Sequence, residues 1–213
     1  LTRQFDLTAV QPGDSIEMEI AMWFNIETDY DYGYVVVSSD GEKWTILPGQ
    51  QTTTDNPSGN SFGDAYTDVS RGSGGAPVWI TERFDLSEYA GEEIYVRLEY
   101  VTDDAVNEPG WFVDDIRIDA IDYAADFEDG PDGWESEGWL LTDNRLTQRW
   151  ILQVLTLEND QLVDVHRINV NEDGVASVNI SGLGGNDEAV FIVSGATPYT
   201  TEVANYRYWV DMR

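Results

Sequence analysis

Cysteine is absent from the 213-residue chain, and histidine occurs once, as His166. Without a thiol there is no disulfide, no thiolate nucleophile and no cysteine-ligated zinc. With a single imidazole, neither a histidine-based zinc protease site nor a cysteine–histidine dyad can be assembled. A chain of this size builds a core without disulfides, so the missing cysteines say nothing about compartment. Basic residues are also scarce: 11 of them, Lys43 being the lone lysine, face 41 acidic residues, for a formal charge of −30. Such a field repels phosphate backbones and anionic headgroups, which excludes nucleic acid and membrane surfaces as partners. No apolar run reaches the length of about 18 residues that a membrane span needs, and the N-terminus lacks a basic region followed by an apolar one. Residues 1–7 read as the middle of a strand. We therefore expect a secreted, extracellular protein whose targeting signal lies in a longer polypeptide.

Helical periodicity is nearly absent as well. In its place, short runs rich in β-branched and aromatic residues recur between Gly, Pro, Asn and Asp clusters, which predicts an all-β chain. The first strands are expected over 15–25, 33–38, 44–47, 78–85, 94–101 and 111–118. In the first of these, Met18, Ile20 and Met22 share one face, as in a sandwich with one wet side. Asp40-Gly41 predicts a hairpin, because this pair tolerates the positive φ of a tight turn. Residues 49–76 are polar, small and turn-rich, and predict a long loop with little order. After residue 118 the chain turns acidic, placing a domain boundary near Tyr123. Six further strands are expected over 139–142, 149–157, 162–170, 175–180, 189–194 and 206–212, with turns at 171–174 and 182–186. Their spacing of about ten residues is the rhythm of an immunoglobulin- or fibronectin-like sandwich. The expected domains are thus 1–123 and 124–213.

Catalytic chemistry is thin. His166 lies on an alternating strand with Asp164 and Ile168 on its face, a surface position, and no serine stands on a strand-to-helix elbow to partner it. A two-carboxylate glycosidase survives this inventory, but where acid is so abundant a carboxylate pair carries little information. The alternative is binding. Eight tryptophans and eleven tyrosines suit sugar stacking, with Tyr30, Tyr32, Tyr66, Trp79 and Trp111 as candidate platform residues, although alternation buries most aromatics.

Residues 26–47 (IETDYDYGYVVVSSDGEKWTIL), 84–91 (FDLSEYAG), 96–103 (VRLEYVTD) and 110–118 (GWFVDDIRI) follow one another in a pattern that resembles the C-terminal β-domain of immune inhibitor A metalloproteases, the M6 peptidase family. Residues 133–139 (GWESEGW) continue it. The resemblance implies a jelly-roll module, similar to MAM and carbohydrate-binding domains, followed by the smaller sandwich. It also implies an accessory, non-catalytic role, either beside a zinc protease whose His-Glu-x-x-His helix has no counterpart here or in a related cell-surface protein. The partners it implies are adjacent domains of the parent protein and a glycan or protein substrate. Jelly rolls of this kind hold a structural calcium, and Asp114, with Asp115 beside it, matches the last-strand ligand. The first-strand partner is expected upstream of Leu1, with Asp126, Glu128 and Asp129 as substitutes. Asp29 and Asp31, in the tyrosine-rich turn, form a second candidate for calcium, which seeks six to eight oxygens.

Overall fold

The computed structural model describes residues 1–71, 75–142, 145–171, 173–185, 187–198, 200 and 202–211. Residues 72–74 of the expected loop, Glu172 and Asn186 of the expected turns, and Met212 of the last expected strand lie outside that set. The chain divides into two compact units, Leu1–Asp143 and Asn144–Arg213.

Eight strands build the first unit: β1 (Thr2–Asp6), β2 (Glu17–Asn25), β3 (Tyr32–Ser38), β4 (Thr45–Ile46), β5 (Ile80–Asp85), β6 (Glu93–Val101), β7 (Gly110–Ile118) and β8 (Tyr123–Ala125). They form two four-stranded antiparallel sheets in the orders β1-β6-β3-β4 and β5-β2-β7-β8. The six expected strands all form, with bounds shifted by at most two residues. Alternation explains the layering. Met18, Ile20, Met22 and Phe24 of β2, Phe84 of β5 and Ile116 and Ile118 of β7 meet Ile94, Val96 and Leu98 of β6 and Val35 and Val37 of β3 in one core. The expected hairpin joins β3 to β4, with Gly41 at φ 74° and the Asp40 carboxylate accepting the amides of Glu42 and Lys43, each at 2.8 Å. These two amides hold the Asp40 carboxyl below its ordinary range.

The segment over 49–71 is better ordered than its composition predicts. It crosses the outer face of the β3 sheet, bridging Thr53 to Ala65, Gly33 to Tyr66 and Asn25 to Val69. Under it, Tyr32, Tyr34, Val36 and Ala65 form a second small core. Strand β3 is therefore buried on both faces. The crossing is anchored by Glu82 of β5, a buried carboxylate that accepts the Tyr66 hydroxyl at 2.9 Å and the Gln50 amide at 2.5 Å.

The sequence ends the first domain near Tyr123, but the compact unit runs some twenty residues further. β8 adds to the β7 edge, Trp134 packs into the core and donates its indole N–H to the Tyr123 hydroxyl at 2.9 Å, and Glu135 bridges back to Thr2.

In the second unit the described residues carry one antiparallel sheet of three strands, β9 (Trp150–Glu158), β10 (Gln161–Ile168) and β11 (Asp187–Gly195), in the order β10-β9-β11. The strands expected over 139–142, 175–180 and 206–211 do not form. Tyr206 and Tyr208 instead stack edgewise or tilted on Trp150 and Phe191, using their rings where a strand would use its backbone. No helix among the described residues is long and apolar enough to cross a membrane.

Candidate functional site

The β2–β3 connection and the end of β6 meet at one corner of the first sandwich. Glu27 follows β2, Asp31 precedes β3 and Asp103 follows β6, so three carboxylates from two remote stretches converge. One oxygen of each lies within 4.8 Å of the others, and this is the one such acidic group among the described residues. The connection is closed by the Asp31 amide donating to the Glu27 carbonyl at 3.1 Å. Asp31 is 1% exposed; its oxygens accept the Tyr100 hydroxyl and the Asp103 amide, each at 3.0 Å.

Glu27 is different. Its Oε2 is buried without a hydrogen-bond partner. Burial first, then the charges of Asp103, Asp31 and Glu108, push its carboxyl above the ordinary range. Burial and the neighbouring Asp31 likewise push the Tyr100 phenol up. An orphaned carboxylate oxygen among like charges is costly unless a cation compensates it. The group fits a hard cation: three oxygens this close together can share one calcium ion, whose bonds to oxygen run to about 2.3–2.6 Å. Glu27, Asp31 and Asp103 would hold it.

Of the residues singled out in the sequence, Asp31 belongs to this corner. Asp29 sits beside it at φ 65°, its amide donating to Thr67 Oγ1 at 2.9 Å and its carbonyl accepting the Tyr32 hydroxyl at 3.0 Å. Asp114, Asp115, Asp126 and Glu128 do not form a three-acid group. The carboxylates of Asp114 and Asp126 accept the amides of Asp115 and Glu128, at 2.9 and 3.2 Å. Asp114 is nonetheless raised above its ordinary range, by burial foremost and then by Asp115 and Asp126. Glu27 and Asp103 were missed because nothing in the local sequence pairs them; only the β3–β6 ladder does.

The proposed aromatic platform needs correction. Tyr32, Tyr66 and Trp111 are core residues: Trp111 packs against Tyr66 and Trp139 at 5.7 and 5.5 Å between centroids, and none has a free face. Tyr30 and Trp79 are exposed. His166 is exposed on β10, with Nδ1 3.1 Å from Asp164 Oδ2.

The immune inhibitor A-like MAM domain family matches residues 1–142. The chain belongs to that family. The MAM segment is thus the whole first unit, β8 and Trp134 included. Among curated relatives, a protein named pre-pro-metalloprotease PrtV, from Vibrio cholerae serotype O1 (strain M66-2), is 30% identical over 110 residues, 52% of this chain and 11% of the relative. Bacillopeptidase F of Bacillus subtilis (strain 168) is 31% identical over 105 residues, 49% of this chain and 6% of the relative. The MAM chain thus corresponds to a small part of much longer proteins with peptidase names.

Proposed function

We propose that this chain is a non-catalytic binding and positioning module of a larger secreted protein of the peptidase type, stabilised by calcium at Glu27, Asp31 and Asp103. The observation that carries the reading is that a MAM domain accounts for residues 1–142, while the relatives named as peptidases share only 105–110 residues with the chain, 6–11% of their own length. The exposed His166–Asp164 pair, on a strand of the other unit, supports it: an open surface does not exclude water or orient a nucleophile. The module's partners are the neighbouring domains of its parent. Deleting residues 1–142 from the parent should impair folding, secretion or substrate docking, while leaving the peptidase residues unaltered. A parent unchanged in all three would refute the module role.

Calcium follows from the ligand chemistry, three carboxylates without nitrogen or sulfur. Backbone carbonyls and water would complete its shell. A ligand at a hundred times its Kd stabilises by about 2.7 kcal/mol, which for a chain of this size raises Tm by about 5–10 °C. Scanning calorimetry in calcium and in EDTA should show that rise, and Glu27→Gln should remove it. Equal melting temperatures in both buffers would rule the cation out.

A further inference from the structure

The outer face of the β5-β2-β7 sheet is built in three rows that run across the strands. Trp23 of β2 pairs with Phe112 of β7, and the exposed Trp79 directly precedes Ile80, the first residue of β5, which pairs with Met22. Trp79 is 53% and Phe112 43% exposed. Trp23 and Phe112 pack edge to face, with centroids 5.3 Å apart and planes at 76°. Two residues along the strands lie Thr81, Ala21 and Asp114. Two further on is a charged row, in which Glu19 receives Arg83 Nε and Arg117 Nη2, each at 2.8 Å. Beside it opens a cleft of about 340 Å³ lined by Ser15, Glu17, Glu19, Arg117, Asp119 and Ala120.

The middle row contains the smallest of these side chains, so Ala21 forms the floor of a trough between an aromatic wall and a hydrogen-bonding wall. Strand geometry makes it about 10 Å long and about 13 Å between the outer rows. We propose that this trough binds a neutral oligosaccharide segment of a larger glycan. A pyranose is amphipathic: its C–H face stacks on an indole or phenyl ring, and its hydroxyls need donors and acceptors in fixed positions. Trp79, Trp23 and Phe112 supply the first; Asp114, Thr81 and the Arg83–Glu19–Arg117 array supply the second. Protein interfaces centre on contiguous apolar contact, whereas this aromatic wall borders Thr81 and Asp114 and, beyond them, the charged Arg83, Glu19 and Arg117. The two arginines are already matched by Glu17, Glu19 and Asp119. With a chain charge of −30, this leaves nothing to attract a polyanionic glycan. The proposal deepens the binding-module reading and rests on it.

The test is native affinity electrophoresis of the full 213-residue chain in gels containing galactomannan, xyloglucan, mixed-linkage β-glucan or glycogen, with alginate as the polyanion. Retardation in at least one neutral gel and none in alginate is expected. Trp23→Ala and Trp79→Ala should each weaken it tenfold or more. Ala21→Trp fills the trough from the solvent side, keeps every ring in place and should abolish retardation, so it decides the matter if Trp23→Ala also perturbs folding. No retardation in any neutral gel would overturn the proposal and assign the face to a protein contact. Retardation confined to alginate, or surviving Ala21→Trp, would overturn it too. Each of these outcomes leaves the calorimetric test of Glu27 untouched, so the two readings fail separately.

Discussion

Glu27 carries an unresolved conflict between burial and charge. Its carboxyl is raised above the ordinary value of 4.5 by desolvation and by three acidic neighbours. A raised acid favours the protonated form in the folded state. Its contribution to stability is therefore complete below pH 4.5 and is lost as pH rises through the elevated value. A bound cation inverts the balance, because it rewards the ionised form. In EDTA at pH 7, Glu27→Gln should melt above the parent protein, and the gap should close as pH falls toward 4.5. In calcium the parent should be the more stable of the two. Calorimetry at several pH values, with and without the ion, checks both signs. The residues that make this corner were half legible in the sequence. Asp31 stood out because its turn is rich in acid and tyrosine, but Asp103 is brought to it by tertiary pairing alone. The same limit hid the burial of Tyr32 and Tyr66. Strand alternation tells which side chains share a face, and it is silent on whether a distant loop will cover that face.

Strands were legible in the first unit because each couples alternation to a turn signal, as with Met18, Ile20 and Met22 of β2 or the Asp40-Gly41 hairpin. Strand β7 shows where the rule breaks. Its sequence puts Asp114 on a face with Phe112, Ile116 and Ile118, yet Ile116 and Ile118 are in the core while Phe112 is exposed. A bulge opposite β2, with Asp115 at φ 45°, switches the faces between Asp114 and Ile116 and so turns Asp114 toward solvent beside Phe112. The crossing of β3 by β7 leaves equally little room. A methyl group on Gly33 would sit 2.9 Å from the six-membered ring of Trp111, itself wedged between Tyr66 and Trp139. Gly33→Ala should destabilise by about 1–3 kcal/mol through overpacking. Chemical denaturation should register this as a lower midpoint at an unchanged slope.

At the scale of the whole chain, the two units differ in how completely they enclose apolar surface. The first has two opposed sheets and a continuous core; in the second, Ile151, Leu162, Val165 and Val190 remain exposed on the described sheet. Residues 1–142 expressed alone should therefore keep a cooperative thermal transition close to that of the intact chain. A broad, non-cooperative melt of that piece would contradict the division. The acidic, glycine-rich stretch after residue 123 has the composition of a linker, yet Trp134 and Glu135 within it return to the first strand. In the second unit, runs such as 175–180 have the composition of a strand but pair with no other strand among the described residues.

The ladder order of the first unit also governs when it can form. β1 pairs with β6, β2 lies between β5 and β7, and Thr2 closes on Glu135. As the polypeptide emerges from a ribosome, its earliest segments must wait for the latest ones, so no partial product holds a lasting shape. Folding is then a late, single event on a timescale of roughly milliseconds to seconds, and until it happens the chain stays pliable enough to be threaded through a narrow opening.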